Sequence, residues 1–358
     1  MPLFDWPTQR RAQVRADGEQ VWLADTAYPL DATLDCGPEI GPVRAADVAR
    51  QQAEMDALTA GECRPQLAAH VYALTRHPRA LDHYYPLART LPPAERESFD
   101  ALLAALVADP RLEVRLFGPG RADQTAALPV AARALVAGHL VETFVYRRDV
   151  LDHLLAARLR VRLYATRAAY ADDGGVAGGS FHLERGAVQL VLARLFEGFN
   201  GATPGVAPFL HELGHLLDFF DVAAGGMGVG AGLLPGLSPR DGALYSPAAR
   251  ELFLKGKALE AQRYRALLDG RAAPDDPLPI GHPYVFQNDT EFCAGYFEMA
   301  FRNPNYLAAM NPDLHAAYVT LFGYDTRRCW PEDFPFYVEQ NQAFYRSGEK
   351  PWPLGITV

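Results

Sequence analysis

The clearest hydrophobic pattern in the chain is an apolar run at residues 209–220. Leu213, Leu216, Leu217 and Phe220 recur there at helical spacing, while His211, Glu212, His215 and Asp218 gather along the other side. The run predicts one amphipathic helix. Helical periodicity also covers 45–58, 65–75, 93–108, 131–149, 246–268, 290–302 and 312–322. Pro93 suits the first turn of its helix. Ser246 is an N-cap for the segment after it, and Asp289 or Thr290 caps the segment that begins there. Strand patterns are short: one around 20–23, one at 161–165, and a β-branched one at 188–193. Gly174, Gly175, Gly178 and Gly179 mark a tightly turned or mobile loop between the last two. Residues 221–245 are glycine-rich and carry no regular pattern, and long loops of that kind are usually functional or disordered.

These elements describe an α+β chain, mostly helical with a small mixed sheet. Gly118-Pro119-Gly120, within 117–123, is the best punctuation in the chain. It divides a mainly helical N-terminal region, 1–122, from a second block, 123–358. That block ends in a tail from residue 330, rich in proline and aromatic residues, which is expected to wrap the surface.

Composition narrows the function classes. The chain has 358 residues, 49% of them apolar, enough for a sizeable core. The net charge is −9 with lysine and arginine scattered, which argues against nucleic acid or an anionic membrane as partner. No apolar run is long enough for a spanning helix, and the first residues show no signal-peptide pattern. The four cysteines, Cys36, Cys63, Cys293 and Cys329, have no C-x-x-C pairing and suit the reduced thiols of a cytoplasmic protein.

The chemistry lies in His211-Glu212-Leu213-Gly214-His215, an H-E-x-x-H sequence. With 10 histidines in the chain, chance gives this pattern in roughly one such chain in a hundred. On a helix, positions four apart share a face. His211 and His215 can therefore grip one divalent cation with Glu212 beside them, the arrangement by which zinc hydrolases activate water near neutral pH. A catalytic zinc site takes a third protein ligand, and several candidates stand open. Asp221 serves if the helix breaks at Asp218, although glycine suits such a turn better. Glu251 lies near the start of the 246–268 helix and reads as a surface charge. Glu260 sits amid Ala, Gln and Arg on a helix that looks half-solvated. Glu291 opens an apolar helix and needs a partner there, with Ala294 and Gly295 small enough to let that helix approach the histidines. Glu298, on the same face, reads as a carboxylate that orients a ligand histidine or as a buried partner for arginine. Asp218 is a further candidate to hold a ligand histidine through its second nitrogen.

His-Glu-Leu-Gly-His-Leu-Leu-Asp at 211–218, a glycine-rich segment, and Tyr284 ahead of Glu291-Phe292-Cys293-Ala294 together resemble the Mlc titration factor A family. These are bacterial zinc-dependent peptidases of gluzincin type with a lethal-factor-like catalytic core. The resemblance spans roughly 130–325 and is strong at 209–221 and 284–304. It implies a zincin-like catalytic domain holding one Zn2+ ion through His211, His215 and Glu291. It implies Glu212 as general base and Tyr284 as the transition-state stabiliser; from the residues themselves, His282, two positions before Tyr284, is the lesser alternative as oxyanion donor. The substrate would be a peptide or protein. Because family members are also thought to bind a transcriptional repressor, a regulatory binding protein with weak or no peptidase activity is the competing expectation. The chain departs from the family in a longer interval between His215 and Glu291 and in an N-terminal region with no counterpart.

Overall fold

The computed structural model describes residues 14–23, 26–35, 42–63, 86–196, 206–228, 244–273, 275–329, 333, 335–349 and 351–357. The helix expected at 65–75 and most of the glycine-rich loop, 229–243, lie outside them. The chain forms two compact units. One comprises Met1–Glu142, Arg160–Ser180 and Gln189–Pro204; the other comprises Thr143–Leu159, Phe181–Val188 and Gly205–Val358. The turn expected to mark a boundary, 117–123, lies inside the first unit. There an isolated bridge between Phe117 and Asp123 folds it back on itself. No helix among the described residues is long and apolar enough to cross a membrane.

The first unit starts with short antiparallel strands. β1 (Val14–Ala16), β2 (Gln20–Leu23) and β3 (Thr26–Pro29) form one sheet, and β4 (Thr33–Asp35) pairs with β5 (Pro42–Arg44). Only the β2 stretch carries a strand pattern; its neighbours, of three or four residues, are too short for alternation to show. The helices are α1 (Ala45–Thr59), α2 (Pro86–Thr90), α3 (Pro93–Ala108) and α4 (Val130–Phe144). A four-stranded sheet follows the order β6-β7-β9-β8, with β6 (Glu113–Phe117) and β7 (Arg160–Tyr164) parallel and in register from Glu113↔Arg160 to Phe117↔Tyr164. Helix α6 (Arg167–Asp172) precedes β8 (Gly179–His182), and β9 (Ala187–Val191) is buried at every residue, as an interior strand must be. The glycine-marked segment is thus only partly loop. Gly174 and Gly178 supply positive φ, +88° and +90°, and between them and His182 the chain forms the edge strand of the sheet.

The single long helix expected at 131–149 is two, and the break between them lies where the second unit begins. After α4 the chain breaks at Arg147 (φ −131°, ψ 55°) before α5 (Arg148–Ala156). Arg147 donates to the carbonyls of Leu244, Thr320 and Leu321, so the break aims a guanidinium at carbonyls that would otherwise lack donors. In the first unit, by contrast, the strand at 188–193 ends early, and Leu192–Leu195 is the short helix α7. Helix α8 (Pro208–Phe219) carries the H-E-x-x-H sequence and runs into a two-residue pairing of β10 (Phe220–Asp221) with β11 (Gly226–Met227). Helix α9 (Pro247–Leu268) starts as read, with Ser246 Oγ accepting the Ala249 N–H. Helix α10 (Asp289–Arg302) is capped by Asn288, one residue before the caps expected, through Oδ1 accepting the Glu291 N–H at 2.9 Å. Helices α11 (Pro304–Met310), α12 (Pro312–Phe322) and α13 (Pro335–Arg346) complete the second unit; the first and last have no counterpart in the hydrophobic pattern.

Helix α8 packs on α10, and α9 on α12. Leu210, Leu213, Leu216 and Leu217 of α8 are fully buried, each contributing about 1.5–3 kcal/mol of transfer free energy. Glu212 (7% exposed), His215 and Asp218 are buried too, so α8 is enclosed almost all round rather than amphipathic at a surface. The close approach is set by Gly214. A Cβ there would stand 2.8 Å from the Ala294 Cα. Gly295, expected to serve the same contact, instead faces Val285, 2.3 Å from where its Cβ would be.

Candidate metal centre

Among the described residues, helices α8 and α10 supply the three side chains that could hold a metal ion together. Positions 211 and 215 sit one turn apart on α8, their rings 4.9 Å centroid to centroid and nearly perpendicular. Glu291, in the first turn of α10, points between them. Its Oε2 lies 3.1 Å from His211 Nε2 and 3.4 Å from His215 Nε2. One ligand atom from each of the three residues falls within 4.8 Å of the other two. Tetrahedral zinc with ligands at about 2.1 Å needs ligand atoms roughly 3.4 Å apart. The two separations to Glu291 lie close to that spacing and the ligand atoms of the two histidines lie within 4.8 Å of each other, so the three residues could hold a metal ion. All three side chains keep a little solvent access, between 11% and 18%, as an open coordination position requires.

Carboxylates dominate the electrostatics. Burial pulls the His211 pKa down, but the contacts from Glu291 and Glu298 outweigh it and lift it to about 10. Burial raises Glu291, and hydrogen bonds from His211 and His215 overturn that and hold it far below the usual carboxylate range. Glu212 is held up, first by burial and then by Glu291 and Glu298 acting against the two histidines. Its Oε2 is buried and meets no hydrogen-bond partner among the described residues.

Tyr284 stands at the rim on the short turn Pro283–Phe286. Its hydroxyl donates to Glu291 Oε1 at 3.0 Å, and its ring centroid is 6.5 Å from that of His211. His282, the alternative oxyanion donor, is engaged with the backbone instead. Its Nδ1 accepts the Tyr284 N–H at 3.1 Å and caps that turn.

The other acidic residues weighed from sequence separate clearly. Asp221 accepts the N–H groups of Ala223 and Ala224 and closes the turn after β10, apart from the ligand cluster. Glu251 is exposed on α9. Glu260, expected on a half-solvated face, is fully buried; it accepts from Arg263 Nη1 (2.6 Å), Tyr296 Oη (2.6 Å), the Ile280 N–H (2.8 Å) and Asn311 Nδ2 (3.3 Å). Apart from Arg263, one turn away, its partners come from distant segments, which is why the local sequence conceals its burial. Asp218 lies against the Cys293 thiol, whose pKa is driven up first by burial and then by the Asp218 charge.

Glu298 is the residue behind the site. Its Oε2 is 3.6 Å from His211 Nδ1, and its Oε1 accepts the Ala207 N–H at 2.6 Å. One carboxylate thus orients a candidate ligand ring and anchors the first turn of α8. Its seven-residue spacing from Glu291, two helical turns, is the signal that places it on the same face.

No model of a known protein family matches the chain, and no curated protein matches it in sequence.

Proposed function

We propose that this protein is a zinc-dependent peptidase of the type its H-E-x-x-H helix resembles, with His211, His215 and Glu291 holding one Zn2+ ion. The observation that carries the reading is the convergence of these three ligand atoms within 4.8 Å, with a buried carboxylate, Glu212, one residue from the first of them. A bound zinc ion supplies Lewis acidity toward water and toward a peptide carbonyl. Glu212 acts as general base: its raised pKa and unpartnered oxygen suit it to take a proton from the attacking water and give it to the leaving amine. Tyr284 turns its hydroxyl from Glu291 to the developing oxyanion, where its partial exposure lets substrate reach it. Glu298 fixes the His211 ring through Nδ1, leaving Nε2 for the ion.

The test pairs metal content with turnover. The purified full chain should carry about one equivalent of zinc and hydrolyse unstructured peptides only with it. Glu212→Gln should keep the zinc and lose at least about 100-fold in kcat. A fully zinc-loaded wild-type protein that hydrolyses no peptide would reject the reading and favour a regulatory binding protein. Undiminished turnover in Glu212→Gln would reject the general-base role.

A further inference from the structure

Two large aromatic side chains stand in solvent beside the candidate site, and they touch. Among the described residues the exposed large apolar side chains are Val130, Val176, Leu183, Tyr284 and Trp352, of which only the last two are aromatic. Trp352 is 47% exposed and Tyr284 38%, with ring centroids 5.8 Å apart in an edge-on contact. Tyr284 in turn reaches Glu291 with its hydroxyl. The indole is therefore one ring beyond a candidate metal ligand.

Trp352 is preset in place. The Tyr264 hydroxyl donates to its carbonyl at 2.8 Å, the Gly355 N–H donates to the Phe286 carbonyl at 2.8 Å, and the Thr357 N–H donates to Asp289 Oδ1 at 2.9 Å. Ile356 is buried beside them. A Cβ on Gly355 would lie 1.7 Å from the Gln287 carbonyl oxygen, so the tail lies flat on the 283–287 turn and only glycine fits there. Backbone groups and Ile356 anchor this segment. The indole packs edge-on against Tyr284, and the residue keeps 47% of its surface exposed for contact. A rigid aromatic pair held half in water is suited to gaining apolar contact from a ligand.

Resting on the peptidase reading, we infer that Trp352 and Tyr284 form an aromatic wall that receives a large apolar side chain of the peptide substrate next to the bond cleaved, which makes Trp352 a specificity-determining residue. A phenylalanine or leucine laid against the indole removes apolar area from water on both partners, whereas glycine or aspartate gains nothing there.

The experiment uses the full zinc-loaded chain and peptides that differ only by Phe, Leu, Gly or Asp beside the scissile bond. Wild type should prefer Phe and Leu. Trp352→Ala should lower the Phe-over-Gly ratio of kcat/KM roughly tenfold, chiefly through KM. Trp352→Phe should restore most of it, and Gly355→Ala, which displaces the tail, should lower it as Trp352→Ala does. Trp352→Gln, which keeps bulk without the ring, gives the same reading should the alanine protein fail to fold. An unchanged ratio at wild-type zinc content and melting temperature would overturn the wall, as would an equal fall for all four peptides. If the wild-type protein cleaves none of them, the peptidase reading fails separately, and binding decides. The Phe peptide should then bind Glu212→Gln protein more tightly than Glu212→Gln/Trp352→Ala protein in calorimetry, and equal affinities would overturn the wall. Concentration-dependent dimerisation that Trp352→Ala abolishes without changing peptide preference would assign the pair to a second copy and overturn it too.

Discussion

Glu298 touches both the ring of a candidate ligand, His211, and a backbone N–H, and the two contacts separate under mutation. Glu298→Gln keeps an oxygen for Ala207 but loses the charge that faces His211 Nδ1. Zinc affinity should fall about 10–100-fold with little change in melting temperature, as measured by competition with a chromophoric chelator. Unchanged affinity would leave Glu298 a mere helix anchor. Glu260 makes the opposite case, since its four donors are all structural. Glu260→Ala removes the acceptor of Arg263 Nη1, of the Tyr296 hydroxyl and of a buried N–H, and should cost about 3–5 kcal/mol in denaturant unfolding. A loss under about 1 kcal/mol would show that water replaces the carboxylate. The sequence declares the chemistry of His211, Glu212 and His215 because their spacing is local. It conceals Glu260, whose partners Ile280, Tyr296 and Asn311 come near only after folding.

At the scale of elements, the contact between α8 and α10 sets how closely Glu291 meets the two imidazoles. Gly214→Ala would put a methyl 2.8 Å from the Ala294 Cα, a backbone atom that cannot rotate away. The helices must part, which should destabilise the protein by about 1–3 kcal/mol and weaken zinc binding in the same chelator assay. Stability and affinity at wild-type levels would mean that the two helices slide freely. Long helices with clear caps are legible: α3 and α12 run as their patterns predict, and Ser246 caps α9. The break between α4 and α5 is not, because Tyr146-Arg147 holds no proline or glycine and the apolar spacing continues across it. The edge strand β8 hides within a cluster of glycines, where turn signals outweigh a strand of four residues.

For the molecule as a whole, a bound metal would compete with a proton for one place, His211. With the protein's own groups alone, His211 stays protonated up to about pH 10, while Glu291 is ionised well below neutrality. A cation must displace the His211 proton, so apparent zinc affinity should rise about tenfold per pH unit between about pH 6 and 9, with one proton released per ion in calorimetry across buffers of different ionisation enthalpy. Affinity flat over that range would mean that His211 is neutral before metal arrives. In chelator the sign is different. The raised His211 pKa stabilises the fold fully below its ordinary value of 6.5 and is lost as pH climbs toward about 10, whereas the depressed Glu291 pKa stabilises only above its ordinary 4.5. The stripped protein should therefore melt highest between about pH 4.5 and 6.5 and the zinc-loaded one at higher pH.

Among the described residues, the three side chains that could grip a cation stand on just two packed rods, and a missing methyl at residue 214 lets those rods lie close. Scaffolding elsewhere can then diverge without disturbing the grip. Transplanting 207–219 and 288–302 as a crossed pair into an unrelated helical bundle should carry the ion-binding property with it.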